Sequence, residues 1–196
     1  MIKRDIATWT RWIHIYLSMF SFATLLFFAV TGITLNHPDW LTAQQHVESI
    51  SGKVDSTWIS ATDTNRTAKM EIVEHFRNAY SIESRLHDFR MEETECALSF
   101  KGPGYVADAF IDRSTGEYEL TITNSGALAI FNDLHKGRDT GSVWALIIDI
   151  SAILMILVSL TGFLMIFFLK KKRLSGLLLS LLGGLLIVIF YYMYAK

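Results

Sequence analysis

The 196-residue chain is 51% hydrophobic and carries a formal net charge of −1, a near-neutral balance that conceals an asymmetry. Residues 37–141 hold seventeen Asp or Glu against ten Lys or Arg, a charge of −7, while the rest of the chain holds two acidic and eight basic residues, +6. The basic residues sit almost entirely at the ends of apolar stretches, so the asymmetry describes membrane topology and offers no basic face to nucleic acid. The single Cys96 excludes an intrachain disulfide and an all-cysteine metal site.

Trp12 to Leu35 contains no Lys, Arg, Asp or Glu. At about 1.5 Å per residue it is long enough for the ~30 Å hydrocarbon layer, and Pro38 marks the expected helix stop. Lys3, Arg4 and Arg11 precede it, which places the N-terminus in the cytoplasm by the positive-inside rule. The apolar region is too long for a signal-peptide core, and TLNHPDW lacks a small-residue cleavage pattern, so the expectation is a retained membrane helix within residues 1–38.

Residues 39–66 are rich in Ser, Thr, Asp and Gly without a sustained period and read as a linker. Thr67 is a plausible N-cap for a helix to about Ser81, with Met70, Val73, Phe76 and Tyr80 at helical spacing. Three alternating segments follow as strands, ECALSFK, GYVADAFID and EYELTIT, the last two joined by the turn Arg113–Gly116. The expected extracytoplasmic domain, residues 39–141, is therefore α+β: one helix on an antiparallel sheet of three or four strands. Residues 126–136, GALAIFNDLHK, are amphipathic and suit a helix on the membrane surface.

Ser142 to Leu169 reads as the second span, closed by KKKR at 170–173, and Leu174 to Ala195 as the third, so that residues 142–196 form a membrane region. Gly176, Ser180 and Gly184 make a small-residue stripe that permits close helix packing. The fold class is thus a three-helix membrane protein with an α+β domain outside, N-terminus in and C-terminus out.

Among six histidines, His46, His75 and His87 read as surface residues, whereas His14, His37 and His135 lie at or inside the membrane boundary. An imidazole there either snorkels to the interface or must be hydrogen-bonded or ligated. His14 and His37 are 23 residues apart, about 35 Å on a straight helix, and cannot share a small cofactor. His37 and His135 both fall at the outer face, and two imidazoles across an apolar gap suit a b-type haem. No C-x-x-C-H occurs, so covalent haem attachment is excluded. His14 has no histidine at its own depth and would ligate a second haem alone or with its counterpart across a dimer interface.

Asp149, about 10 Å inside the second span, either pairs with a ligand imidazole, Lys136 or Arg138, or caps loop amides or faces the helix interface. Thr31-Gly32 and Thr161-Gly162 resemble each other; their hydroxyls can bond back to the helix and their glycines admit close neighbours or a flat ring. Asp149, Thr31 and Thr161 are the expected supports of the ligands. Glu92, Glu93 and Glu95 form an acidic hairpin cluster that is either solvated or a weak cation site.

The H-x-Y-x-S … F-x-x-T-G-x-x-L-N-H pattern, carried here by His14, Tyr16, Ser18, Phe28, Thr31, Gly32, Leu35, Asn36 and His37, resembles the PepSY-associated transmembrane proteins of bacterial inner membranes. Leu134-His135-Lys136-Gly137 through Asp149 to Thr161-Gly162, and the strand–turn Ile111–Glu117, resemble the same family. The resemblance implies haem b held by His14, His37 and His135 and electron transfer to ferric iron, free or chelated, at the periplasmic face. The donor is not identifiable, and the Fe(II) formed would suit a ferrous iron transporter. The chain is shorter than larger family members, with three spans instead of four or more, which implies a homodimer. A different class of function stays open: a membrane-tethered PepSY module that binds or regulates a partner protein.

Overall fold

The computed structural model describes residues 2–42, 44–59 and 66–195. Its elements in chain order are α1 (Ile2–Leu35), α2 (Asp39–Thr42), β1 (His46–Lys53), α3 (Ser56–Ile59), α4 (Arg66–Tyr80), β2 (Arg85–Met91), β3 (Glu95–Gly102), β4 (Tyr105–Asp112), β5 (Glu117–Asn124), α5 (Gly126–Lys136), α6 (Ser142–Ile166) and α7 (Arg173–Tyr194). Lys3–Leu35, Ser142–Ile166 and Arg173–Tyr194 are long and apolar enough to cross a membrane. The chain divides into two compact units, Phe28–Ile148, and Met1–Phe27 with Asp149–Lys196.

The first of these units is built on one antiparallel sheet in the order β1-β5-β4-β3-β2. Alternation assigns its faces: Cys96, Leu98, Phe100, Ala107, Ala109, Ile111 and Leu120 are buried on one side. Their partners in the core are Ile72, Val73 and Phe76 of α4, at the i, i+1, i+4 spacing of one helical stripe. Ala107 and Ala109 keep the centre of the sheet low, which leaves room for the Phe76 ring. The Cys96 thiol is pushed up to about 11, chiefly by burial, and is therefore inert. Tyr118 bonds Tyr80 through their hydroxyls at 2.5 Å. It stands opposite Gly52 in the β1–β5 register, where any Cβ would collide with its hydroxyl.

The sheet has five strands, two more than the sequence patterns name. Residues 39–66 are not a simple linker, because β1 lies within them and pairs with β5 along its whole length, His46↔Asn124 to Lys53↔Glu117. Both missed strands are sheet edges with no fully buried residue, so neither carries the run of alternating apolar core positions that marks β3 to β5. In β2 a register shift between Leu86 and Asp88 further breaks the period. Thr67 falls inside α4, not before it; residues 60–65 lie outside the described residues. The other face of the sheet is open, with Phe110 49% exposed near its centre.

In the membrane unit, α1 and α6 run antiparallel, since His14 near the start of one meets Thr161 near the end of the other. Ser21 and Ser151 are the buried polar residues there, small enough to bring two helices close. α7 buries no residue. Its small-residue stripe is used at one end only: Gly176 packs against Ile166, while Gly184 has open space before it.

Burial decides which core residue matters. Leu98→Ala, at a position 2% exposed, is expected to lower the opening free energy of the β3–β4 amides by about 2–5 kcal/mol in hydrogen exchange. Phe110→Ala on the open face should change it by no more than about 0.5 kcal/mol.

Candidate functional site

Two histidines are held in the same way. His14 Nδ1 lies 3.0 Å from Thr161 Oγ1, and His135 Nδ1 lies 2.6 Å from Thr31 Oγ1. In each case the glycine after the threonine faces the ring: Cβ atoms placed on Gly162 and Gly32 would lie 3.1 Å from His14 Cε1 and 3.8 Å from His135 Cε1. The flat ring packed by these Thr-Gly pairs is thus an imidazole. At each position the threonine satisfies one ring nitrogen and the glycine lets the helix backbone approach the ring edge.

The hydroxyls fix the tautomer. Thr161 Oγ1 donates to the carbonyls of Leu157 at 2.8 Å and Val158 at 3.0 Å, back-bonding within its own helix. Its single proton is spent there, so its oxygen accepts from His14 Nδ1–H. The lone pair of His14 is then on Nε2. Thr31 Oγ1 also reaches the Phe28 carbonyl, at 3.4 Å; where it accepts from His135 Nδ1–H across the shorter 2.6 Å contact, the His135 lone pair is on Nε2. Burial, with Lys136 as a smaller cause, lowers the His135 pKa from its ordinary 6.5 and favours this neutral form.

α5 brings His135 to Thr31 by docking its polar side, where the amphipathic pattern leads one to expect the apolar side. Asn132 and Asp133 are buried, whereas Phe131 is 46% exposed. Thr34 Oγ1 donates to Asn132 Oδ1 at 2.6 Å. Asp133 Oδ2 accepts the Gly104 N–H at 2.8 Å, and its Oδ1 accepts from Arg138. Trp144 Nε1 caps the Leu134 carbonyl at 2.7 Å. The Phe28 ring stands edge-on to His135, 5.0 Å between centroids. Asn132 and Asp133 were not legible as site residues; the only cue is a polar pair interrupting the apolar spacing of 126–136.

His37 goes elsewhere. Its ring is exposed and lies flat on Trp40, centroids 4.5 Å apart and planes 10° from parallel, and no ring contact joins it to His135 among the described residues. Thr31, where His135 docks, is six residues deeper on α1, about 9 Å along the axis. Asp149 is exposed and makes no hydrogen bond or ion pair among the described residues; Arg138, one of its expected partners, is engaged by Asp133. Glu92, Glu93 and Glu95 form the β2–β3 turn, where the Glu92 N–H donates to the Glu95 carbonyl. Arg113 donates to the carbonyls of Glu92 and Glu93. No group of three His, Cys, Asp or Glu side chains is arranged to hold a metal ion among the described residues. His75 is not a plain surface residue: Trp58, Phe76 and Tyr118 surround its ring, and its Nε2 is buried without a partner.

A model of the family described as PepSY_TM-like matches residues 8–196. The chain belongs to that family. No curated protein and no solved structure matches it. This PepSY_TM-like chain therefore combines three membrane-crossing helices with a PepSY-like α+β domain, and both histidine–threonine–glycine sets fall inside the matched region.

The two glycines differ in tolerance. Gly162→Ala must displace the His14 ring by a few tenths of an ångström and lengthen its bond to Thr161, whereas Gly32→Ala makes only ordinary contact with His135. Imidazole ¹⁵N shifts of the full-length protein should therefore move for His14 in Gly162→Ala and stay in place for His135 in Gly32→Ala.

The depressed His135 pKa has a definite sign. Above pH about 6.5 the ring is neutral folded and unfolded and its contribution is complete. As pH falls below that value the unfolded state binds the proton first, and the contribution is lost down to the folded pKa. The protection factors of the α5 amides, exchange rates corrected for their intrinsic pH dependence, should fall between pH 7 and 5, and His135→Asn should flatten the profile.

Proposed function

We propose that this protein is a b-type haem protein of the bacterial cytoplasmic membrane that passes electrons to ferric iron, reducing Fe(III) to Fe(II) at the periplasmic face. The observation that carries the reading is the pair of imidazoles, His14 and His135, each held through Nδ1 by a threonine with the Nε2 lone pair left over. That is the state a metal-ligating imidazole requires, with the second nitrogen oriented by an outer hydrogen bond. Bound haem supplies one-electron chemistry, its iron alternating between ferric and ferrous.

The surroundings fit such a group. One helical turn from each histidine lies a buried polar atom without a partner: Ser18 Oγ, four residues after His14, and Asn132 Nδ2, three before His135. Both are suited to polar substituents at a macrocycle edge. Thr31 and Thr161 fix ring orientation, and Gly32 and Gly162 admit the rings. The net charge of −7 over residues 37–141 raises the local concentration of cations.

The protein acts as a homodimer in this reading. His14 and His135 each meet a threonine, not another imidazole, so a second imidazole to hold the group would come from a histidine of a second copy, which a two-fold axis supplies. The uncovered α7 surface around Gly184 is one place where close helix contact is open.

One observation favours a second reading, a membrane-tethered module that binds a partner protein: the open sheet face with Phe110 half exposed.

Purified full-length protein from haem-supplied cells should show a Soret band that shifts on reduction with dithionite, and His14→Ala and His135→Ala should each lower haem content. Thr31→Val should shift the reduction potential while haem stays bound, because only the outer hydrogen bond is lost. A colourless preparation sinks the haem reading. If His→Ala variants retain function while substitution of Phe110 abolishes it, the module reading stands in its place.

A further inference from the structure

The loop between α5 and α6, residues 137–141, is folded unusually tightly. Gly137, Asp139 and Gly141 all have positive φ, and at 58° Asp139 adopts the left-handed region without being glycine. Such a conformation costs free energy and persists only when its surroundings hold it. Asp139 Oδ1 lies 3.7 Å from His87 Nδ1. His87 reaches it because the β2–β3 register shifts between Leu86 and Asp88, a bulge of the kind that re-aims a side chain.

Positive charge converges beside this pair. Arg85 stands directly opposite Lys101 in the β2–β3 register, an arrangement of like charges that weakens a ladder. Neither makes an ion pair among the described residues. The Arg85 guanidinium presses on Gly141, where a Cβ would lie 2.9 Å from Nη1. Gly141 immediately precedes α6, whose first turn has no acidic residue. The unsatisfied N–H groups of that turn place about half a positive charge at the same point. A guanidinium there is disfavoured unless an anion offsets it. Two fixed cations and a helix end thus share a concavity with one carboxylate, Asp139, while Asp88 and Asp108 border a neighbouring concavity with Lys101. Arg85, Leu86, His87, Lys101 and Asp139 line the first, of about 220 Å³.

We propose that this concavity binds a phosphate group, that of an anionic phospholipid at the membrane surface. The position selects the source. α6 is a membrane-crossing helix from Ser142 onward, with Val143 73% exposed and Trp144 in its first turn. Arg85 and Lys101 therefore stand at headgroup level, where basic side chains recognise anionic lipid. The site is independent of any haem.

Full-length protein in detergent, incubated with equal phosphatidylglycerol and phosphatidylcholine, should retain the anionic lipid preferentially by native mass spectrometry. Arg85→Gln should lower that retention roughly fivefold, and Arg85→Gln with Lys101→Gln further. Arg90→Gln, whose residue is already paired with Asp88 at 2.9 Å, should not. Arg85→Lys should keep most of the retention, which separates loss of the site from loss of fold. Phosphatidylglycerol vesicles should raise the melting temperature of the wild type and not of the double variant. Equal retention by wild type and double variant overturns the proposal. Stabilisation by inorganic phosphate without response to the lipid overturns the lipid as its source.

Discussion

An imidazole enters the low-dielectric interior of a helix pair at tolerable cost only when a ring nitrogen is satisfied there, and in this chain a threonine hydroxyl does so twice. The Thr161 hydroxyl is already committed to carbonyls of its own helix, so it accepts from the ring. One bond thereby settles three matters at once: the tautomer, the ring orientation and the location of the remaining lone pair. The adjacent glycine is the steric counterpart. Successive helical residues lie about 100° apart, so Thr and Gly side by side can flank one ring, the first with a polar atom and the second with bare backbone.

The position of His135 depends in turn on α5, whose buried polar residues form a short relay. Asp133 accepts the Gly104 N–H from the β3–β4 turn, Asn132 accepts the Thr34 hydroxyl, and His135 meets Thr31. Within one turn of helix the same element grips a turn of the sheet and the end of α1. Gly104 is needed for this grip: its φ is +68°, and a Cβ would run into Ile130. Polar contacts rather than apolar area hold α5, which explains why Phe131 stays half exposed on a helix that is otherwise docked.

Much of this was legible where one face dominates. The three spans, α4, and β3 to β5 follow from uninterrupted hydrophobicity or clean alternation, because their environment is uniform along each segment. β1 and β2 escaped because these edge strands bury no residue fully and a bulge interrupts β2, so His46–Lys53 passed for linker. For the site, depth alone separated His14, His37 and His135 from the other histidines. What depth does not carry is direction. His37 turns to Trp40 while His135 turns to Thr31, and the Thr-Gly repeat left close neighbours and a flat ring equally open, with no sign that the ring is a histidine. Asn132, Asp133 and the aromatic enclosure of His75 depend on contacts between distant segments, which no local period encodes.

The acidic character of the domain is likewise not uniform, and the sheet register shows how it is distributed. At one end of the strands Glu117 lies opposite Lys53 and Glu95 opposite Asp112, and these residues border a shared concavity with Glu119. At the other end Arg85 stands opposite Lys101, beside the start of α6. Six residues of β3, about 20 Å, separate Glu95 from Lys101. The net negative charge therefore resolves into a carboxylate-rich end that attracts cations and a basic end at the entry to a membrane span. A single strand, β3, carries a residue of each, so the same backbone that builds the core of the domain also separates its two charged ends.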